Sequence, residues 1–269
     1  MTKPVQVGPT LVGADRFTVV AGPCAIETRE QVLAVARHVA AAGASAIRGG
    51  VFKMRTDPRS FQGLGPEALA HVDEVRRETG LPFIIEVASL EQVEVLAGHA
   101  DAFQVGSRSM HNYYLLKELG CMRTPVLLKR GFAARLREWL LAAEYVQAGG
   151  NEAVILCERG IRTFEIDTRN TLDLAGAVWA RQQSHFPVLV DPSHATGSPE
   201  LIGPMCLAAA AAGLDGVMVE VHSDPAAALA DGFQALTPDR FSGIIRQLNP
   251  VLAALGKHPI QPLTAARQG

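Results

Sequence analysis

"FTVVAGPCAIETREQVLAVARHVAAAGASAIRGG", residues 17 to 50, contains the unit from which the rest of the chain is built. It opens on a short β-branched run, Phe17 to Gly22. An alanine-rich stretch with apolar residues at helical spacing follows and ends on Gly43, and a second short run occupies Ser45 to Gly50. Strands that are mostly apolar on both faces and are joined through a helix belong to a parallel sheet, whose faces are both covered.

The unit recurs. "PFIIEVA" (82–88), "AFQVG" (102–106), "PVLLK" (125–129), "EAVILC" (152–157), "PVLVD" (187–191) and "GVMVEV" (216–221) bring the strands to eight, and segments such as "REWLLAAEYVQAGG" and "TLDLAGAVWARQQ" carry the helical spacing between them. Eight such units in about 250 residues fit an α/β fold of the closed (β/α)8 TIM-barrel kind better than an open sheet. The expected organisation is one domain without an added regulatory domain: an extension over 1–16, the barrel over 17–250, and a free tail over 251–269.

Composition excludes several function classes. The 269 residues are 48% hydrophobic and carry a net charge of −2, so nothing points to nucleic acid or an anionic membrane surface. The opening "MTKPVQVGPT" has no apolar core of a signal peptide, and no apolar run approaches the roughly 20 residues that span a bilayer. A soluble cytoplasmic protein is expected, and the scattered Cys24, Cys121, Cys157 and Cys206 suit a reducing compartment.

Barrel enzymes gather their chemistry at the C-terminal ends of the strands. There this chain places Cys24, Arg48, Glu86, Arg108, Lys129, Arg159, His194 and Glu220, one at or just after each strand in turn. Arg48, Lys53, Arg108, Lys129 and Arg159 would then share one cleft, a costly arrangement unless a multiply charged anion binds among them. The basic, glycine-rich "IRGGVFKMRTDPRSFQGLG" (47–65) therefore reads as phosphate or carboxylate recognition; separately paired surface charges are the other reading. Cys24, His194, Glu220 and Asp231 offer a thiolate, an imidazole and two carboxylates, a mixed donor set for a divalent transition metal. On spacing alone, Cys24 reads equally as a small packed residue and His194 as a helix cap. Cys121, Cys157 and Cys206 are expected to be packing residues and His222 a structural histidine. "GLGPEALAHV" lacks a full dinucleotide fingerprint.

Taken in order, "VAGPCAIE", "IRGGVFKMRTDPRSFQGLG", "FQVGSRSM", "LLKRG", "ILCERGIRTFE", "TRNTLDL", "VDPSHATG", "VEVH" and "LADGFQAL" resemble the successive motifs of 3-deoxy-D-arabino-heptulosonate 7-phosphate (DAHP) synthases in their short microbial form. The resemblance implies a metal-dependent barrel that condenses phosphoenolpyruvate with erythrose 4-phosphate and releases inorganic phosphate, opening the shikimate route to aromatic amino acids. It implies that Cys24, His194, Glu220 and Asp231 hold one divalent ion (manganese, iron, zinc or cobalt). Arg48, Lys53, Arg108, Lys129 and Arg159, with Ser107, match the phosphoenolpyruvate positions, while Arg55 and Thr56 match those for the aldose phosphate. Cys24 and His194 enter catalysis through the metal, Lys53 as proton donor, and Glu86 as the group that orients water. A homo-oligomer, dimer or tetramer, is implied, and control by aromatic products would need a separate regulatory partner.

The chain departs from the family pattern at three places. Met54 stands where the family has a proline, "SMHN" (109–112) replaces Asn-x-Gln-Asn, and "FAARLREWL" (132–140) drifts. These bear on the aldose more than on the reaction. The rival readings are the related octulosonate phosphate synthase, which uses arabinose 5-phosphate, and a non-catalytic barrel that acts as a regulatory partner.

Overall fold

Thr28 starts the first helix by accepting a hydrogen bond from the backbone N–H of Gln31, and Gly43 stops it in the left-handed region at φ 103°, where a side chain would be strained. The computed structural model describes residues 2–263. Within them, β1 (Val5–Val7) and β2 (Thr10–Val12) form an antiparallel hairpin. Eight parallel strands follow: β3 (Thr18–Gly22), β4 (Ala46–Gly49), β5 (Phe83–Val87), β6 (Ala102–Val105), β7 (Val126–Lys129), β8 (Val154–Glu158), β9 (Val188–Val190) and β10 (Gly216–Glu220). They close into a barrel in the order β10-β3-β4-β5-β6-β7-β8-β9. The helices α1 (Arg29–Ala42), α2 (Leu69–Thr79), α3 (Leu90–Leu96), α4 (Tyr113–Gly120), α5 (Leu136–Ala148), α6 (Leu174–Gln183), α7 (Pro192–Thr196), α8 (Pro199–Ala211) and α9 (Pro238–Ala254) lie between or after the strands.

Alternation along each strand decides what fills the barrel. Val20, Ala46, Ile84, Ala102, Leu127, Ile155, Leu189 and Met218 form a buried apolar layer inside, into which Val5, Val7 and Val12 of the hairpin pack. Two residues further along, the same face of the strands carries Gly22, Arg48, Glu86, Gln104, Lys129, Cys157, Asp191 and Glu220. The apolar layer is thus the floor of a polar one. The outward residues pack under the helices; Trp139 of α5 is fully buried there and its Nε1 donates to the carbonyl of Leu128 at 3.1 Å.

Both ends differ from expectation. The residues ahead of the barrel are not a bare extension, because the hairpin buries three valines against the interior layer. The last helix runs on past residue 250 to Ala254, with Leu252 buried. Beyond it the chain is tied down rather than free: the Ile260 N–H donates to Asn249 Oδ1 at 2.8 Å, and Ile260 packs into the outer core. Residues 264–269 of the expected tail lie outside the described residues. Cys157 and Cys206 are buried as expected, whereas Cys121, following α4, is exposed.

Replacing Ile260 with Ala should lower the unfolding free energy by about 2 kcal/mol, the low end for a large-to-small core change because the site lies at the barrel's margin. A urea titration would show a reduced midpoint with an unchanged slope. An unchanged midpoint would mean that the segment after α9 contributes nothing to the fold.

Candidate active site

The polar layer opens into a cleft of about 270 Å³. Arg48, Lys53, Arg55, Arg108, Lys129, Arg159 and Arg169 line it, against the carboxylates of Asp57, Glu86 and Asp231. All five cations assigned to the cleft from the sequence converge there, with Arg55, Thr56, Ser107 and Glu86. Arg48 is 2% exposed; its NH1 donates to the carbonyl of Pro23 at 3.0 Å, but its Nε finds no partner among the described residues. Arg55 NH1 and Ser107 Oγ are likewise buried and unpaired. Burying such groups without a partner costs roughly 1–3 kcal/mol each, more for charged ones, so their arrangement suits an anion held among them.

Lys53 Nζ lies 3.6 Å from Glu86 Oε2. Burial pushes the Glu86 carboxyl up, but Lys53, Lys129, Arg48 and Arg108 together outweigh it and hold the group below the usual carboxylate range. Burial would lower the Lys53 ammonium, yet the Cys24 and Glu86 charges raise it above its ordinary value. The pair is therefore an ammonium, charged in the resting site and able to donate, beside a carboxylate that accepts hydrogen bonds. Gly106, just after β6, leaves room for this carboxylate: a Cβ there would sit 2.3 Å from Glu86 Oε1 and push the side chain aside.

Beside Lys53, Cys24 Sγ lies 4.0 Å from His194 Nε2 and 3.2 Å from Asp231 Oδ2. One ligand atom from each of the three falls within 4.8 Å of the others. Glu220 stands beside this group rather than within it, its Oε2 3.6 Å from His194 Nε2 and accepting from Gln234 Nε2 at 2.6 Å. A thiol, an imidazole and carboxylates at this spacing fit a divalent ion of intermediate softness. Burial, reinforced by Glu220, pushes the Cys24 thiol up to about 12, so the sulfur needs an adjacent cation to ionise. Burial also lowers His194 well below its ordinary value, keeping the imidazole neutral as a ligand must be. Asp231 holds a left-handed backbone, φ 53°, and its approach is braced by Glu27, whose Oε1 accepts from the N–H groups of Leu229 (2.9 Å) and Ala230 (3.3 Å).

Several supporting residues escaped the sequence reading. Asp191, fully buried, caps α7 by accepting from the His194 N–H at 3.0 Å. Its Oδ2 takes a hydrogen bond from Lys129 Nζ at 2.5 Å and lies 2.8 Å from His194 Nδ1, off the line of a straight hydrogen bond. The signal was its place three residues before a candidate ligand in "VDPSH". Arg169, inside "TRNTLDL", reaches the cleft, and its NH1 donates to Gln234 Oε1. Glu158 accepts from Gly160 N with both oxygens, at 2.9 and 3.0 Å, and so sets the turn that presents Arg159. His222 is buried and its Nδ1 accepts from Asp224 N, but it is not fully satisfied as expected: its Nε2, 3.4 Å from Glu27 Oε2, has no hydrogen-bond partner among the described residues.

A model of the DAHP synthetase I family matches residues 4–253. The chain belongs to that family. It is 42% identical over 252 residues to the phospho-2-dehydro-3-deoxyheptonate aldolase of Thermotoga maritima, covering 94% of this chain and 75% of that one. It is 31% identical to the 2-dehydro-3-deoxyphosphooctonate aldolase of Syntrophobacter fumaroxidans over 88% of each chain. The crystal structure of the Thermotoga DAHP synthase superposes with a TM-score of 0.92 at 41% identity, over 95% of this chain and 75% of that one. A truncated form of 3-deoxy-D-arabino-heptulosonate 7-phosphate synthase from the same organism gives 0.89 at 38%, over 95% and 94%.

The environment of Glu158 gives a pH test. Burial pushes its carboxyl from 4.5 up to about 7, so the folded protein takes up a proton that the unfolded chain has released between those values. The contribution of this group is therefore undiminished below pH 4.5 and declines as pH rises through about 7, by about 3 kcal/mol in all. Glu158→Gln should flatten the fall in urea-unfolding free energy between pH 5 and pH 8. Parallel pH profiles for the two proteins would refute the raised value.

Proposed function

We propose that this chain condenses phosphoenolpyruvate with erythrose 4-phosphate, giving DAHP and inorganic phosphate. The observation that carries the reading is the set of buried, unpaired donors on Arg48, Arg55 and Ser107, which surround a cleft whose wall holds the Cys24, His194 and Asp231 ligand atoms. Phosphoenolpyruvate brings a carboxylate and a phosphate, and the aldose brings a second phosphate. A cationic cleft of this composition meets that demand.

In this reading Arg48, Lys53, Arg108, Lys129 and Arg159, with Ser107, hold phosphoenolpyruvate, and Arg55 with Thr56 holds the aldose phosphate. Cys24, His194 and Asp231, with Glu220 beside them, would hold a divalent ion, which when bound would supply Lewis-acid polarisation of the aldehyde oxygen. C3 of phosphoenolpyruvate forms the new bond to the aldehyde carbon, and Lys53 delivers a proton to the oxygen that gains charge there. Water, oriented by its hydrogen bond to Glu86, adds at C2 and its released proton replaces the one that Lys53 gave up; the C2–O bond to phosphate then breaks, the phosphate leaving with its bridging oxygen and the hydroxyl proton as C2 becomes a ketone. Manganese, iron, zinc and cobalt all suit the donor set. The heptulosonate relative at 42% identity favours erythrose 4-phosphate, while octulosonate relatives at 28 to 32% make arabinose 5-phosphate the second reading.

Homo-oligomerisation, control by a separate regulatory protein and a cytoplasmic location belong to the same proposal. Exposed Tyr114, Phe164 and Ile166 offer apolar contacts for another chain, and the free cysteines suit a reducing compartment. No helix among the described residues is long and apolar enough to cross a membrane.

Phosphate release should be measured with each aldose, with and without a chelator. The expected result is faster release with erythrose 4-phosphate, abolished by the chelator and restored by added metal. Cys24→Ala and His194→Ala should each abolish turnover and strongly reduce bound metal. Full activity in a metal-free preparation would overturn the metal's role, and phosphate release with neither aldose would favour a non-catalytic barrel.

The two subsites should also separate kinetically. Arg159→Ala or Lys129→Ala should raise the apparent KM for phosphoenolpyruvate more than that for the aldose, and Arg55→Ala should do the reverse. Loss of a charge-assisted hydrogen bond corresponds to roughly 10- to 150-fold. Equal effects on both substrates would contradict separate subsites.

A further inference from the structure

Phe132 stands in the loop after β7, in the stretch where the chain departs from the family pattern, and its ring lines the cleft. Three guanidinium groups surround that one ring: Arg159 at 4.7 Å from the centroid, Arg162 at 5.0 Å and Arg108 at 5.9 Å. Arg159 and Arg108 belong to the cleft; Arg162 does not line it. The backbone that carries the ring is tied down. Its backbone carbonyl accepts from the Arg162 N–H at 2.9 Å, the next turn closes through Ala134 N to Gly131 O, and Arg130 Nε donates to the Ala134 carbonyl.

Arg159 shows why a ring suits this place. The residue is 3% exposed, yet its one hydrogen bond among the described residues runs from NH1 to the Gly160 carbonyl at 3.3 Å. A desolvated guanidinium needs a partner, and a carboxylate would supply one while cancelling the charge and occupying the N–H edge that an anionic substrate uses. An aromatic face attracts the cation through its quadrupole and leaves the net charge and the in-plane N–H groups free.

We propose that Phe132 is a positioning residue for phosphoenolpyruvate, holding the Arg159 and Arg108 guanidiniums in place through its ring face while leaving their charge for the substrate. This rests on the reading of those two arginines as phosphoenolpyruvate ligands. It separates Phe132 from an ordinary packing residue, because the electron density of the ring, and not only its volume, then matters to one substrate.

The test replaces Phe132 in the metal-supplied full chain with phenylalanines carrying one, two and three ring fluorines, which weaken the face potential with little change of shape. The apparent KM for phosphoenolpyruvate should rise stepwise, to about 10-fold at three fluorines, within the range of a desolvated cation–π contact. The KM for erythrose 4-phosphate and kcat should stay within about twofold, as expected when an interaction is lost equally from ground and transition states. Phe132→Leu should resemble the most fluorinated variant, and Phe132→Tyr should stay near wild type. A flat phosphoenolpyruvate KM across the series, or equal rises for both substrates, would overturn the proposal. If the wild-type chain turns over neither aldose, the functional reading fails by itself. Calorimetric phosphoenolpyruvate binding across the same series then decides the role of Phe132, a stepwise weakening supporting it and an unchanged or absent binding overturning it.

Discussion

The site depends on one buried carboxylate. Asp191 follows β9, two residues beyond Leu189 of the apolar interior layer, and its Oδ2 meets both Lys129 Nζ and the imidazole of His194. Burial alone would push this group up, but the Lys129 ammonium and the hydrogen bond from the His194 backbone N–H hold it well below the usual carboxylate range, so it stays ionised. Removing one partner from a buried pair of this kind typically costs about 3–5 kcal/mol, since the charge left behind has no water to turn to. Asp191 thus joins Lys129 to the short helix that carries His194, holding that helix through the His194 backbone N–H.

That carboxylate can stand there because of barrel geometry. A strand's inward face recurs every second residue, so one apolar residue per strand fixes the register of the next inward position. β5 pairs with β6 to set Ile84 against Ala102, and the same register sets Glu86 against Gln104. The interior is filled below and polar above, the layers stepping by two residues where Arg48 pairs with Ile84, Gln104 with Leu127 and Cys157 with Leu189. The hairpin of β1 and β2 completes the lower side with three valines.

This division explains what the sequence made legible. The eight strands are visible because inward and outward faces are both apolar until the last residue or two, and the polar exceptions therefore mark strand ends: Arg48, Glu86, Lys129 and Glu220 stand out for that reason. The cluster around Cys24 and His194 was legible only as a set of residue types, because the loop that brings in Asp231 takes its shape from Glu27, whose role is set by backbone N–H groups far away in sequence. Asp191 was hidden because an Asp before a helix is most often a cap, and here it does cap α7 with one oxygen while the other serves the site. The hairpin was illegible for a different reason. Two three-residue strands carry too few alternations to separate from loop, and their valines gain a partner only once the barrel exists.

Met54 shows how context can replace a local constraint. A proline at that place would fix φ near −65° and hold the turn bearing Arg55 and Thr56 from within. In this chain the loop is instead held from its flanks: the Lys53 N–H donates to the Gln62 carbonyl at 2.7 Å, and the Gly65 N–H donates to the Val51 carbonyl at 3.0 Å. Asp57 closes the tip, its side chain accepting from the Arg59 backbone and guanidinium. Arg55 is also drawn inward, its NH2 4.0 Å from Asp231 Oδ1, the carboxylate that Cys24 Sγ approaches from the other side. The missing proline therefore leaves Arg55 tied to the same group that Cys24 approaches, so that Asp231 joins the basic loop to the Cys24 and His194 cluster much as Asp191 joins Lys129 to His194.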